Sequence, residues 1–339
     1  MPALNLKQGH VYFLGMKDPT EEQKFTHYKI GITDGTVQDR INQLQTGNPF
    51  EIVEYDSFHS QAAQLIERQL HKQWAQERVR LEWFKLSKDQ LETIIQEARE
   101  YEQQIGEKAV RVRDFDQHPS NGHLLAPSDS IVELHASAQA LLAEQVQNKL
   151  RLDHLENQLR SITGITAGIE GVTQVSSTRP GARFQAKEFR ETYGDIYQRY
   201  LTVDRLVCGF QFEGKPRVTS YPELHEAVKE SKEAVPELTS EFSEEAIART
   251  SDAASLHDRY LKETEEAARI KSELVLLQLE LRDLCGENEG IEGVCHYRRE
   301  ITQDLDRDAL QRAHPEEYES CVREVQSKPR FKIMESRAY

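Results

Sequence analysis

The sequence predicts an α+β chain, with a small antiparallel three-stranded sheet flanked by helices and then long-helix modules in tandem duplication. Three observations predict it. Two apolar runs near the start, Val11-Tyr12-Phe13-Leu14 and Tyr28 to Thr33, flank a polar stretch from Lys17 to Thr26 and read as an antiparallel strand pair. Further on, apolar residues fall on a heptad-like beat through Ile131, Leu134, Ala138 and Leu141, then Leu152, Leu155, Leu159 and Ile162. A Gly-Ile-Glu-Gly-Val motif after this helical stretch (Gly168 to Val172) returns after a second one (Gly290 to Val294).

After the first hairpin, the turn signal Asp34-Gly35 leads into a helix over Thr36 to Gln45. Its Val37, Ile41 and Leu44 share a face until Thr46 to Pro49 ends it. Ile52, Val53, Tyr55 and Phe58 mark the third strand, and Ala62 to Trp74 repeats apolar residues at helical spacing. Trp83 to Leu86 is short and strand-like, Lys88 to Gln104 is a further helix, and Arg111 to Ser130 has the composition of a linker. These signals give a domain at 1–110, a linker at 111–129, a first helical module at 130–213, a connector at 214–240 and a second module at 241–339.

The repeat extends past the glycine motif. Leu159-Arg160 corresponds to Leu281-Arg282, and Phe184, Phe189 and Asp195-Ile196-Tyr197 correspond to Leu305, Leu310 and Glu316-Glu317-Tyr318. Phe210-Gln211-Phe212 is echoed by Phe331-Lys332-Ile333, and the second leading helix is expected over about Ser243 to Leu284. Gln145 and Asn148 interrupt the first apolar seam, where buried polar residues set register or oligomer number. The long helices fit an internal pair, a homo-oligomer seam or a protein partner equally well.

At 339 residues the chain suits two or three compact units. No apolar run approaches the roughly 20 residues that span a bilayer. Met1 to Gly9 lacks the basic and apolar segments of a secretory signal. A soluble, cytoplasmic protein with no membrane partner is therefore expected. Cys208, Cys285, Cys295 and Cys321 have no C-x-x-C spacing, which argues against zinc or a disulfide framework and for reduced thiols. The formal net charge of −15 argues against a protein that coats nucleic acid, since that affinity comes from Lys and Arg neutralising phosphates. Any nucleic acid must be met by a local site, and an acidic balance is compatible with carboxylates that hold a hard divalent ion.

Residues with chemical potential follow in a fixed order in the N-terminal domain. Val11-Tyr12-Phe13 comes first, then Tyr28-Lys29-Ile30-Gly31-Ile32-Thr33, then Arg40 on the first helix. Glu67 and His71 follow on one face of the next helix, and Glu82-Trp83-Phe84 closes the set. Hydrolysing a phosphodiester needs a group that positions or deprotonates water, a cation over the developing phosphorane charge, and a carboxylate for a divalent ion. Tyr12, Arg40 and Glu67 are side chains of the types these roles require. Singly, each has an ordinary reading: Tyr12 as strand packing, Arg40 with Glu67 as a structural ion pair, and Trp74, Trp83 and Phe84 as core.

The ordered set resembles the GIY-YIG nuclease superfamily, in its phage T5 orf172-type, K-I-G branch, over residues 8–100. The resemblance implies a metal-dependent DNA endonuclease holding one Mg²⁺ or Mn²⁺ on Glu67, with Tyr12 acting on the water and Arg40 on the transition-state charge. Lys29 stands at the usual tyrosine position and either assists proton transfer or binds phosphate. Gly31 is needed because the strand packs closely or bulges there. His71 assists the metal or contacts the phosphate, and Glu82, where many members carry Asn, touches the metal or supports the site. Lys72, Arg78 and Arg80 contact DNA phosphates or form a solvated basic patch.

The repeated half resembles, more loosely, the C-terminal module of YqaJ-type phage recombination nucleases. The likeness is best in Asp306 and His314-Pro315-Glu316-Glu317-Tyr318, where the first copy has Thr192-Tyr193-Gly194. It implies an accessory module for DNA engagement or assembly with no active site of its own. The setting implied is phage, mobile-element or anti-phage biology. The alternative to cleavage is a DNA-binding or assembly protein on a degenerate GIY-YIG fold.

Overall fold

The computed structural model describes residues 6–18, 20–177, 180–238, 243, 245–325 and 329–334. In chain order the first elements are β1 (Gly9–Asp18), β2 (Glu21–Thr33), α1 (Val37–Gln45), β3 (Ile52–Ser60), α2 (Ala63–Gln73), β4 (Arg78–Arg80), β5 (Trp83–Phe84) and α3 (Lys88–Tyr101). A π-turn joins α3 to α4 (Glu107–Phe115), followed by β6 (Leu124–Leu125), α5 (Asp129–Thr163), β7 (Gly168–Ile169), β8 (Thr173–Ser177) and β9 (Gly181–Phe184). Next come α6 (Ala186–Thr192), α7 (Gly194–Arg199), β10 (Leu201–Phe212), α8 (Pro222–Glu233) and α9 (Ser251–Cys285). The last are β11 (Gly290–Ile291), β12 (Cys295–Leu305), α10 (Arg307–Ala313), α11 (Pro315–Ser320), β13 (Val322–Val325) and β14 (Pro329–Ile333). The chain divides into two units, one of Met1–His135, Cys208–Glu213 and Ser272–Glu300, the other of Ala136–Val207, Gly214–Lys271 and Ile301–Tyr339.

The first unit is built on an antiparallel sheet of order β3-β1-β2-β5-β4. It has five strands where the sequence predicts three, because β5 adds to β2 at Tyr28 and Lys29 and β4 folds back on β5. The stretch expected to be a polar connection is largely strand, with β1 running to Asp18 and β2 beginning at Glu21. Pairing there overrides polarity. Both faces of β1 are covered, which is why it reads as an unbroken apolar run. Val11 and Phe13 pack with Tyr28, Ile30, Ile66, Leu70 and Leu91, while Tyr12 and Leu14 pack with Val37, Ile41 and Ile52.

Helix α2 has a second apolar side, where Leu65 meets Ala109 and Val112 of α4 and Leu279 of α9. The segment expected to be a linker carries the end of α4 and β6, which pairs in parallel with β11. Beside it, the fully buried Arg282 lies between the rings of Phe210 and Tyr297, 5.4 and 4.9 Å from their centres. Its Nη1 donates to Asp116 at 3.2 Å, and the Tyr297 hydroxyl donates to the same carboxylate at 2.6 Å.

In the second unit, Asn148, 2% exposed, donates to the carbonyl and carboxylate of Glu263 at 2.9 and 2.7 Å. Arg151 also donates to Glu263, at 2.8 Å, and Arg269 to Glu144, at 2.7 Å. These contacts join α5 to α9 within one chain. Helix α9 begins at Ser251, later than expected, because residues ahead of it make strand-like bonds instead: Ala167 N–H to the Glu245 carbonyl and Ile247 N–H to the Gly168 carbonyl. The expected connector contains α8, whose Ala227 carbonyl accepts from His154 at 3.0 Å.

Local geometry after the two 35-residue helices matches position by position. Each helix is followed by a left-handed glycine (Gly164, φ 60°; Gly286, φ 56°), and each two-residue strand opens on another (Gly168, φ 142°; Gly290, φ 154°). A Cβ at Gly168 or Gly290 would lie 2.2 Å from the carbonyl oxygen of Thr173 or Cys295, so neither position accepts a side chain. The Thr163 and Thr173 hydroxyls meet at 2.9 Å, and the Cys285 and Cys295 sulfurs meet at 3.8 Å. Glu213 N–H donates to the Val294 carbonyl as Met334 N–H does to that of Val172, both at 2.9 Å. Strands β13 and β14 pair antiparallel with β9 and β8, and β10 lies beside β12.

Removing one partner of a buried ion pair leaves the other charge desolvated. Asp116→Ala is therefore expected to lower stability by about 3 kcal/mol, with Asp116→Asn, which keeps an acceptor for Tyr297, losing less; urea unfolding of the two variants measures this.

Candidate active site

Tyr12 and Gly31 are directly opposite on β1 and β2. The tyrosine ring lies across the glycine, and a Cβ at position 31 would sit 2.5 Å from the phenolic oxygen. The register shifts of this strand pair fall at Met16 to Asp18, so close packing, not a bulge, explains Gly31. Helix α1 is capped by Thr36, whose hydroxyl accepts from Asp39 N–H at 3.1 Å, and is seated by Val37 and Ile41. That anchoring brings Arg40 Nε to 3.4 Å from the Tyr12 oxygen, while Nη1 donates to Gln43 at 3.1 Å. Burial pushes the Tyr12 pKa above its ordinary value, against the opposing pull of Arg40. At neutral pH Tyr12 is a phenol that can both donate and accept.

Glu67 and His71 stand one turn apart on α2, beside the buried Ala63, Ile66 and Leu70. Because β5 pairs with β2 only at Tyr28 and Lys29, the next carbonyl, that of Ile30, is left for another donor. His71 Nε2 donates to it at 2.9 Å. That bond puts the proton on Nε2 and leaves the Nδ1 lone pair as the acceptor. The His71 ring packs 5.2 Å from that of Phe84, and burial lowers its pKa, keeping it neutral.

Burial, reinforced by Glu82, pushes the Glu67 carboxyl up to about 7, although Lys29, Arg68 and Arg40 pull it down. Among the described residues, no hydrogen bond or ion pair holds this carboxylate. Lys29, only 5% exposed, pairs with Glu82 and lies 5.9 Å from the centre of the Trp83 ring. Its charge is committed to Glu82.

The structure treats the three expected DNA contacts differently. Lys72 pairs with Glu273, Arg78 donates to the His71 carbonyl at 2.9 Å, and Arg80 is an exposed residue at the end of β4. In the same turn Leu81 has φ 51°, a left-handed conformation costing a leucine about 1 kcal/mol. Sequence reasoning misses Gln43, which steadies Arg40, and Arg68, which adds to the field at Glu67. The signal for Gln43 is its place one helical turn from Arg40. Arg68 gives none.

Magnesium and manganese prefer oxygen ligands, and magnesium is commonly held by one or two carboxylates plus phosphate oxygens. Among the described residues, no group of three or more His, Cys, Asp or Glu side chains is arranged to hold a metal ion. A desolvated carboxylate with no partner, near a second one, fits an ion that takes most of its ligands from substrate and water. Glu67 is that carboxylate.

Residues 9–99 match the family model of the T5orf172 domain, which fits a GIY-YIG-like domain. Every residue discussed above for the site, from Tyr12 to Glu82, lies in that stretch. No curated protein and no solved structure gives a match to the chain.

A carboxyl whose pKa rises from 4.5 to about 7 on folding contributes stability that is fully present below 4.5 and lost as pH rises through about 7. Glu67→Gln removes that loss. In metal-free buffer it is expected to stabilise the protein at pH 8 by about 3 kcal/mol, with the gain vanishing near pH 4.5; thermal unfolding at both pH values tests it, and a gain independent of pH would refute it.

Proposed function

We propose that this chain is a metal-dependent DNA endonuclease that hydrolyses phosphodiester bonds at the site formed by Tyr12, Arg40 and Glu67. The observation that carries the reading is the pairing of two arrangements: a phenol bonded to an arginine over Gly31, and a desolvated carboxylate with no partner of its own.

Arg40, steadied by Gln43, presents a guanidinium suited to two parallel bonds to phosphate oxygens, and its fixed charge opposes the charge gained in the transition state. Tyr12 orients the attacking water through its hydroxyl; its raised pKa argues for positioning over action as a phenolate base. Glu67, with Glu82 nearby, would hold a single Mg²⁺ or Mn²⁺. When bound, such an ion polarises the scissile phosphate and stabilises the leaving oxygen. His71 positions Glu67 by tying α2 to the Ile30 carbonyl, and Lys29 offsets the charge of Glu82. Arg78 and Arg80 extend the cationic surface toward the DNA backbone, and Lys72 joins them only if it leaves Glu273.

Cleavage of plasmid DNA in Mn²⁺ or Mg²⁺ is expected, falling at least ~100-fold in Arg40→Ala and Glu67→Ala. Mn²⁺ is expected to raise the melting temperature of the native protein at pH 8 but not that of Glu67→Ala. Cleavage that survives both substitutions would sink the site assignment. A second reading, a non-cleaving DNA-binding or assembly protein, is favoured by Lys29, which offers a committed ammonium where the family usually has a phenol. DNA binding without cleavage of any DNA form would establish it.

The remaining residues we read as two tandem copies of one module, at about 130–213 and 241–339. The paired glycine conformations, the equivalent Thr–Thr and Cys–Cys contacts and the mirrored backbone bonds support this. So does the exchange of closing strands, in which β14 completes the first copy and β10 the second. Their proposed role is the accessory one implied by the YqaJ-type resemblance, DNA engagement or assembly, in a phage or anti-phage setting.

A further inference from the structure

The turn between β4 and β5 ends at Glu82, within the site. Leu81, just before it, is 71% exposed and left-handed at φ 51°, and Val79 is 57% exposed. Glycine or asparagine would relieve the backbone there, and a polar side chain would relieve the exposure. The backbone bonds around this hairpin, Ile30 N–H to the Glu82 carbonyl and Lys85 N–H to the Glu77 carbonyl, do not depend on the side chain at position 81. Leucine at this position is unfavourable to stability on two counts.

Arg78 and Arg80 alternate with the two apolar residues and are exposed like them. From Glu77 to Lys85 the sequence carries three cations, Arg78, Arg80 and Lys85, against two carboxylates, Glu77 and Glu82. A cationic, apolar-tipped hairpin on a chain of net charge −15 is complementary to a polyanion with an apolar interior.

We infer that the hairpin tip is a DNA wedge: Leu81, backed by Val79, enters the minor groove and partly unstacks one base step, while Arg78 and Arg80 engage the flanking phosphates. The distorted step fixes which phosphate is delivered to Arg40 and Glu67. The partner's identity rests on the nuclease reading, but the wedge can be tested without cleavage.

The full-length protein is titrated in EDTA against duplexes carrying 2-aminopurine at successive positions, with binding followed by anisotropy. Native protein is expected to raise 2-aminopurine emission several-fold at one step. Leu81→Gly is expected to abolish that rise and weaken binding about tenfold with no loss of thermal stability, and Leu81→Met to retain both. Arg80→Ala is expected to keep the rise while lowering the salt slope of binding by about one. The wedge is overturned by binding without an emission change, by a Leu81→Gly variant that behaves as native, by failure to bind any duplex, or by self-association that Leu81→Gly abolishes, which would make a second copy the occupant. Leu81-dependent unstacking in EDTA, combined with no cutting in Mn²⁺, would keep the wedge and remove the endonuclease.

Discussion

A methyl group at position 31 would fall 2.5 Å from the Tyr12 hydroxyl, and the site depends on that space staying empty. Both β1 and β2 lie inside the sheet, with cores packed on its two faces, so neither strand can retreat to make room. The ring's path across Gly31 delivers the phenolic oxygen to Arg40, and α1 is held against the same ring by Val37 and Ile41. Gly31, Tyr12 and Arg40 therefore act as one mechanical unit. Glu67 reaches the site on a different helix, tied to β2 through His71.

The charges in this unit are uneven by construction. Lys29 pairs with Glu82, and Glu67 is balanced only at longer range, by Lys29, Arg68 and Arg40. Burial then outweighs those attractions and favours the protonated form. A carboxylate in that condition is poorly suited to a structural ion pair and well suited to a site completed by something from outside. The same burial keeps Tyr12 a phenol and His71 a neutral imidazole.

Much of the N-terminal domain was legible because its signals are local. The helical spacing of Val37 and Ile41, the apolar run of β1 and the turn at Asp34-Gly35 each reflect a short-range cause. The polar ends of β1 and β2 were illegible because they are strand only through each other, and β4 because it exists only by pairing with β5. Periodicity put Glu67 and His71 on one helix face. It could not indicate that β5 stops short and leaves the Ile30 carbonyl to His71, or that Lys29 is occupied by Glu82. Asn148 stood out as a polar seam residue, but its partner, Glu263, lies far along the chain.

The pairing of β8 with β14 also has a time dimension. Thr173–Ser177 is complete long before Pro329–Ile333 is translated, and at typical elongation rates the interval is roughly ten to thirty seconds. For that period one edge of the nascent sheet has no strand to close it, the condition under which β structure recruits neighbouring chains. The composition of β8 mitigates this hazard: Gln174, Ser176 and Ser177 are polar and outward-facing, and only Thr173 and Val175 turn inward. A strand that remains soluble while unpaired is what an order of synthesis with its partner last requires.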